Sequence, residues 1–452
     1  VAVVGAGPAG SAAAIELARR GLRVAILDRA VFPRDKCCGD GLTTGALRQL
    51  AGLGLKPGSV ASWQPVTTAE VVAPDGRRVT LPLPPGGTFA ATARRQDLDA
   101  ALLELAAASG ARVFEGCTVT GAQASGSSVT LLTAGGAVSA PYVVAADGMW
   151  SPLRKMVGAP DEPGYRGDWH ALRQYFSGVG PEATKLWVWF EPDLLPGYAW
   201  SFPLPGGGAN VGFGIHRRGG RPVGNMGERW AEIVSRPHIS AVLGPEAGPE
   251  APPKTWPIPA RVGRSPLAAA GGRVLFAGDA ARATDSLTGE GIAQALETGR
   301  RAADAIAGAG AGRPQVAARR YGTALGRSLV VDDRLSRRLS EVLRRPDAPW
   351  LPLVAANEWT RRNFARWMFE DYPRAVLATP RRWRRGVLRG AAPYQEVAPS
   401  PRAPGPSPRA PGPGPRAPAP GPQAAQPPPA QRGGRRSRNE AMPSAASSDA
   451  KR

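Results

Sequence analysis

The first thirty residues, VAVVGAGPAGSAAAIELARRGLRVAILDRA, constrain this chain more than any other stretch. Val1–Val4 reads as a buried strand, and Gly5, Gly7 and Gly10 follow at the spacing G-x-G-x-x-G. The pattern predicts a small-residue helix over Ser11–Arg20, a turn at Gly21 and a second strand, Leu22–Leu27, ending in Asp28. Each part has a physical task. Gly5 permits a tight turn out of the strand. Gly7 lacks a Cβ, so a pyrophosphate can approach the backbone. Gly10 lets the helix pack close to the sheet, and the helix N-terminus offers free N–H groups to phosphates. A carboxylate at Asp28 suits ribose hydroxyls. An unphosphorylated ribose favours FAD or NAD over NADP, and the motif alone leaves those two open.

At 452 residues the chain has room for two or three domains. It contains no run of eighteen apolar residues, so no transmembrane helix is expected. The apolar start lacks a charged leader, so no signal peptide and a cytoplasmic location are expected. The chain begins on a strand without an initiator Met, so a few further residues are expected before it. Cys37, Cys38 and Cys117 form neither a C-x-x-C pair nor a metal spacing, which suits a reducing compartment. His170, His216 and His238 are scattered, and no metal site is expected. The net charge is +21, of which residues 399–452, with nine Lys or Arg and two Asp or Glu, carry +7. A basic surface attracts phosphates, nucleic acid or anionic lipid. Arg, Ala, Gly and Pro abundance also follows from a GC-rich coding sequence, which is the blander explanation.

Farther on, Phe32-Pro33-Arg34 ends regular structure, and Lys36 to Gly41 form a polar, glycine-rich loop. Thr43-Thr44 can cap a helix over Gly45–Leu53. By spacing, Cys38 reads as a small buried residue or as a thiol near a reaction centre. AEVVAPDGRRVTLPLP reads as strand, turn and strand, an antiparallel excursion. A helix is expected from Arg94 to Ser109, and a returning strand over Pro141–Ala145 with an Asp147-Gly148 exit turn. Residues 160–260 are rich in Trp, Gly and Pro and look like a mostly antiparallel second domain. There Trp187 and Trp189 share one strand face, and Tyr198, Trp200 and Phe202 another. Such rows are either sheet core or the wall of a large apolar pocket. Arg273–Ala277 should be a strand leading to Gly278-Asp279, and Thr288-Gly289-Glu290-Gly291 should open a helix with small residues on one side. Further helices are expected over Arg319–Leu343 and Leu353–Trp367. After Arg389 the Pro/Ala/Gly repeat has no core-forming residues and should be a disordered tail.

Four separated pieces line up in order: GAGPAG with Asp28, Arg95 before LDAAL, ADGMWSPLR, and VLFAGDAARATDSLTGEGI. Together they resemble the FAD-dependent oxidoreductases built like para-hydroxybenzoate hydroxylase. DKCCGDGLTTGAL is similar to the K-x-C-G-G/D-G loop of the geranylgeranyl reductase family, and Tyr198 to Pro203 matches its Y-x-W-x-F-P motif. The resemblance implies an α/β FAD-binding Rossmann-like domain with an inserted, mostly antiparallel β substrate domain and a C-terminal helical region. Its FAD domain would comprise 1–58, 94–158 and 266–312, its substrate domain 59–93 and 159–265, and its helical region 313–390, with the tail over 391–452.

The resemblance also implies the site. FAD-contacting positions would be Gly5, Gly7, Pro8, Ala9, Gly10, Asp28, Arg29, Lys36, Cys38, Gly39, Asp40, Arg95, Asp147, Gly148, Gly278, Asp279, Gly289, Gly291 and Ile292. Cys38 would lie beside the flavin, with Tyr198 and Trp200 lining a prenyl channel. Asp279 would hold the ribityl chain, and the following helix would point its N-terminus at the flavin pyrimidine edge, where reduced flavin gathers negative charge. Arg282 and Ser286 depart from the family's usual Gly and Pro, and Cys37 from its usual Pro or small residue. The implied reaction is saturation of isoprenoid double bonds by reduced FAD, with NAD(P)H or a small electron carrier as reductant. A flavin monooxygenase or halogenase is the alternative on this fold, although Tyr198 and Phe202 replace two fixed residues of the halogenase W-x-W-x-I-P motif. Trp359, Phe364, Trp367 and Phe369 among Arg361, Arg362 and Arg366, with RRWRRGVLRG at Arg381 to Gly390, read as an interfacial membrane contact on the inner face or as a helix packed on the core. No nucleic-acid partner is expected, because no aromatic residues interleave the tail arginines.

Overall fold

A computed structural model describes residues 1–83, 88–159, 164–217, 223–344, 357–371, 373–376 and 379–380. The expected basic segment at 381–390 and the tail at 391–452 lie outside the described residues.

The chain builds two principal sheets. The first has six strands in the order Ala268–Ala269, Val274–Phe276, Val143–Ala145, Ala2–Val4, Ala25–Leu27 and Arg112–Phe114. The last five of these run parallel, and Ala268–Ala269 at one edge is antiparallel. All residues of Ala2–Val4, Val143–Ala145 and Val274–Phe276 are buried, as parallel strands covered on both faces must be. The helices Pro8–Arg19, Arg95–Ala108 and Ile292–Ala309 share one hydrophobic core with this sheet. The first helix begins one turn earlier than the sequence pattern predicts. Pro8 occupies its first turn, where a fixed φ and a missing N–H carry no penalty. A three-stranded sheet, Val119–Ala124, Val129–Thr133 and Gly136–Ala140, joins the same core.

The second sheet has eight strands. Seven follow the order Gly248–Pro249, Trp169–Ser177, Gly208–His216, Tyr198–Leu204, Leu186–Trp189, Thr68–Val72 and Arg78–Pro82, and Lys254–Ile258 also pairs with Trp169–Ser177. It is antiparallel except where Leu186–Trp189 runs parallel to Thr68–Val72. The two strands at 68–82 therefore extend the sheet built from the later strands, whereas Gln64–Val66 pairs with Ala90–Thr92 in a separate small sheet. The predicted hairpin is present, with Tyr198 opposite Gly214 and Phe202 opposite Asn210.

Thr43 caps the helix Thr44–Gly52, its Oγ1 accepting from the Ala46 N–H at 3.2 Å. Toward the C-terminus lie the helices Pro314–Gly326, Leu329–Leu343 and Glu358–Met368. The last starts at a capping box between Asn357 and Thr360, later than the expected Leu353; residues 345–356 are outside the described set. Among the described residues no helix is long and apolar enough to cross a membrane.

Candidate active site

The glycine turn is built by close backbone approach. A Cβ on Gly5, whose φ is +98°, would lie 2.2 Å from the Ala146 carbonyl oxygen. A Cβ on Gly10 would lie 1.8 Å from the Gly5 oxygen, and one on Gly299 2.0 Å from the Ala9 oxygen. Gly7 differs: its nearest neighbours would be the guanidinium tips of Arg34 at 3.7 Å and Arg95 at 3.9 Å. Both arginines pair with the buried Asp99, Arg95 through two 2.8 Å bonds and Arg34 at 2.9 Å. Two cations sharing one anion leave net positive charge beside the turn, where a pyrophosphate needs it. Asp28 is held by the Ala6 N–H at 2.6 Å and the Ala30 N–H at 2.8 Å, so its carboxylate also fixes the loop after the first strand.

The Lys36 to Gly41 loop hangs from the second sheet. Asp40 sits at φ +65°, and its carboxylate accepts from the Tyr175 hydroxyl at 2.7 Å, Asn210 Nδ2 at 2.8 Å and the Arg95 N–H at 3.2 Å. Asn210 also donates to the Cys38 carbonyl at 2.8 Å and accepts from Trp200 Nε1 at 3.1 Å. One amide thus ties the cysteine loop to the aromatic strand. Burial raises Asp40 to about 6 against the opposing effect of its donors. Burial likewise pushes the Cys38 thiol up to about 11, so it is a neutral thiol near pH 7. Lys36 Nζ lies 3.6 Å from the Trp256 ring centroid, a cation–π contact, and has no hydrogen-bond partner among the described residues. Burial lowers it to about 8, against the attraction of Asp279.

Asp147 accepts from the Ser151 hydroxyl at 2.7 Å and the Leu153 N–H at 2.9 Å, which anchors the short helix Pro152–Met156 beside Gly148. Gly278 opens a tight turn, Gly278–Ala281, that presents Asp279. Arg282, which stands where the resemblance expects glycine, takes the left-handed conformation at φ +56° and lies 4.2 Å from the Tyr165 ring. The turn is kept while its residue changes.

These parts enclose a cavity of about 650 Å³. Of the positions expected to contact the cofactor, all except Gly10 line it; Gly10 packs helix against turn instead. Tyr198, Trp200 and Phe202 line it too. Trp187 and Trp189 do not: they stack at 5.5 Å within a separate core, so one aromatic row is wall and the other is filling. A second cavity of about 220 Å³ adjoins it, walled almost wholly by apolar groups from the second sheet and the two helices Leu329–Leu343 and Glu358–Met368. Gly41, Tyr198, Phe202, Thr288 and Glu290 line both. Val342, which lines the second cavity, is 54% exposed, so that cavity reaches the surface there. Phe364 and Trp367 face it, whereas Trp359 on the same helix is 71% exposed.

Sequence reasoning did not single out Arg34, Tyr175, Asn210, Trp256 or Glu370. Each acts through a partner far away in the chain; Glu290 lies within the quoted TGEG, which by itself assigns it no role. The donor set suits a dinucleotide: an open approach at Gly7 beneath two guanidinium groups, a buried ammonium with no hydrogen-bond partner among the described residues, and Asp279 facing the same space.

Comparison with known proteins agrees. A sequence-family model for an FAD binding domain matches residues 1–195. The menaquinone reductase of Mycolicibacterium smegmatis is 34% identical over 343 residues, covering 69% of this chain and 76% of that one. Digeranylgeranylglycerophospholipid reductase 1 of Methanopyrus kandleri is 30% identical over 330 residues, covering 66% and 78%. Among solved structures, a geranylgeranyl bacteriochlorophyll reductase-like protein of Thermoplasma acidophilum superposes with a TM-score of 0.69 at 22% identity, over 84% of this chain and 98% of that one. A mutant of the halogenase PltM in complex with FAD does so at 0.62 and 18%, over 84% and 83%. The two structures share the fold; the two sequence relatives carry the kinship. The cofactor is FAD, and the chain belongs to the geranylgeranyl reductase family of FAD-dependent oxidoreductases.

Proposed function

We propose that this protein saturates carbon–carbon double bonds of an isoprenoid chain carried by a lipid or quinone. The observation that carries the reading is the pairing of cavities: a polar, cationic cleft meets a small apolar chamber across Tyr198, Phe202 and Glu290. A chain of methyl-branched alkenes has no polar handle, so only an apolar chamber can position it, and placement is most of what such a reaction requires. Support also comes from relatives named as reductases of menaquinone, digeranylgeranylglycerophospholipid and geranylgeranyl diphosphate, compounds that share an isoprenoid chain.

In this reading the backbone at Gly7 with Arg34, Lys36 and Arg95 holds the pyrophosphate, Asp28 a ribose and Asp279 the ribityl chain. Reduced FAD supplies a hydride. The protein's own part is to hold the cofactor, exclude water with Trp200 and Phe202, and admit the chain past Val342. Cys38 is a neutral thiol that shapes the wall. The reductant is NAD(P)H or a small electron carrier, which docks transiently, since the sequence holds one glycine fingerprint only.

The test is anaerobic. Purified FAD-loaded protein is reduced, then mixed with geranylgeranyl diphosphate, a menaquinone or a digeranylgeranyl glycerolipid. Flavin reoxidation that depends on the alkene, with a product two hydrogens heavier, supports the reading. Reoxidation only by oxygen, across the whole panel, rejects it.

A further inference from the structure

Five residues form the boundary between the two cavities, and three of them are protic: Tyr198, Thr288 and Glu290. The Tyr198 hydroxyl donates to the Thr288 carbonyl. The Thr288 hydroxyl donates to the Asp285 carboxylate at 3.1 Å. Both protons are therefore committed. The Glu290 carboxyl has no hydrogen-bond or ion-pair partner among the described residues, although its backbone N–H and C=O are both bonded. A carboxyl at a cavity boundary with no protein donor aimed at it is suited to hold its proton, because a carboxylate there would lack compensation. Cys38, the other protic side chain nearby, lines only the first cavity, and its Sγ accepts from the Asp40 N–H at 3.4 Å.

We propose that Glu290 is the acid that protonates the alkene, an inference that rests on the reading above. The alkene receives a hydride at one carbon. Its π pair takes the proton of the Glu290 carboxyl at the other carbon, forming the second C–H bond. Glu290 is left as a carboxylate and regains a proton from water, so one hydride and one proton are consumed for each double bond.

The surroundings hold Glu290 in the acid form. Burial raises it, the neighbouring Glu370 raises it further, Asp285 adds to this, and Arg374 opposes; the result is about 8. Every charged neighbour is already engaged. Glu370 accepts from the Thr43 hydroxyl at 2.7 Å and Gln294 Nε2 at 2.6 Å. Arg374 lies between Glu370 at 3.9 Å and Asp285 at 3.7 Å. Asp285 also accepts from the Ser336 hydroxyl at 2.9 Å and from the Leu287 and Thr288 N–H groups at 2.9 Å. Arg374 is shared by two other acids rather than given to Glu290, so neutral Glu290 needs no counter-ion. Tyr198, pushed up by burial and by Glu290 itself, keeps its proton throughout.

Two measurements test this. Infrared titration of the wild-type apoprotein, without any turnover, should show a protonated carboxyl at pH 7 that ionises near pH 8 and is missing in Glu290→Gln. No such carboxyl in the wild type overturns the proposal, whatever the variant does. In the anaerobic assay, Glu290→Gln should bind FAD and accept reducing equivalents like the wild type, yet lose roughly a hundredfold or more in alkene-dependent reoxidation. The wild-type rate should fall above about pH 8. A wild type that reduces the alkene alongside an equally fast Glu290→Gln rejects Glu290 as the acid and leaves the reductase reading standing. A wild type inactive on the whole panel rejects the reductase reading itself, while the infrared result still decides whether the carboxyl is held as an acid.

Discussion

The Lys36 ammonium lies 3.6 Å from the centroid of the Trp256 ring, buried in the cavity wall and without a hydrogen-bond partner among the described residues. Burial lowers it from 10.5 to about 8. The unfolded chain keeps this proton up to about 10.5, so between pH 8 and 10.5 the unfolded state binds more protons and folding gains stability as pH rises. Urea midpoints of the apoprotein should show this rise, and Lys36→Met should flatten it. The same variant should bind FAD roughly tenfold to a hundredfold more weakly, the value of one hydrogen bond to a charged group, as measured by flavin fluorescence titration. Unchanged affinity would remove Lys36 from the cofactor site.

Asp40 titrates in the opposite sense. Its folded value of about 6 lies above the ordinary 3.8, so the native state holds the proton longer than the unfolded chain. Stability should therefore be fullest below pH 4 as far as this group is concerned, and decline as pH rises through 6. Tyr175→Phe removes a 2.7 Å donor to the carboxylate and should move the decline to higher pH. Chemical denaturation in closely spaced buffers between pH 4 and 7.5 measures both.

Gly299 is set against the Ala9 carbonyl so closely that Gly299→Ala should force the two helices apart. The expected loss is about 2–3 kcal/mol of stability, typical of overpacking, with weaker FAD binding. Gly58 has no neighbour within 4 Å of an added Cβ, and Gly58→Ala should leave both quantities unchanged. Equal effects from the two substitutions would show that packing against Ala9 does not matter.

The thiol of Cys38, held near 11, should resist alkylation. Iodoacetamide should label it at pH 7.5 roughly a hundredfold more slowly than a cysteine in an unfolded peptide, because thiolate is the reacting form. Peptide mass spectrometry against time gives the rate. Labelling as fast as the peptide would mean a thiolate beside the flavin site.

A lipid-borne substrate needs a route from the bilayer. Trp359, 71% exposed, stands on the helix whose inner face walls the apolar chamber, near Arg361 and Arg362 and with Val342 exposed at the opening. If this face rests on anionic lipid, Trp359→Ser should reduce sedimentation with phosphatidylglycerol vesicles roughly tenfold, the value of one aromatic side chain moved out of water. Equal sedimentation of variant and wild type would place the contact elsewhere or nowhere.

The cofactor half of the site was legible because its signals are local. Strand, glycine turn, helix and Asp28 lie within thirty residues, and Asp147 and Gly278-Asp279 each end a strand of the same sheet. The aromatic strand Tyr198–Leu204 was legible as a row but not as a wall: alternation puts Trp187, Trp189 and Trp200 on strand faces without saying which face meets solvent, core or cavity. Asn210 was invisible for a stricter reason. Its three partners, Cys38, Asp40 and Trp200, come from one loop and one strand, and two of them lie 170 or more residues away. No periodicity encodes a pairing of that kind.

The order of strands in the first sheet has a consequence for how the protein is made. Val274–Phe276 pairs with Val143–Ala145, and the turn and helix that follow it supply Asp279 and the close contact at Ala9. A ribosome that has released the first 195 residues, the span that matches the FAD binding domain, has released a sheet with one edge still bare and a cleft lacking a wall. The cofactor can be enclosed only after Ile292–Ala309 has emerged, so during synthesis the nascent chain depends on its own exposed strand edge staying unpaired until its late partner arrives.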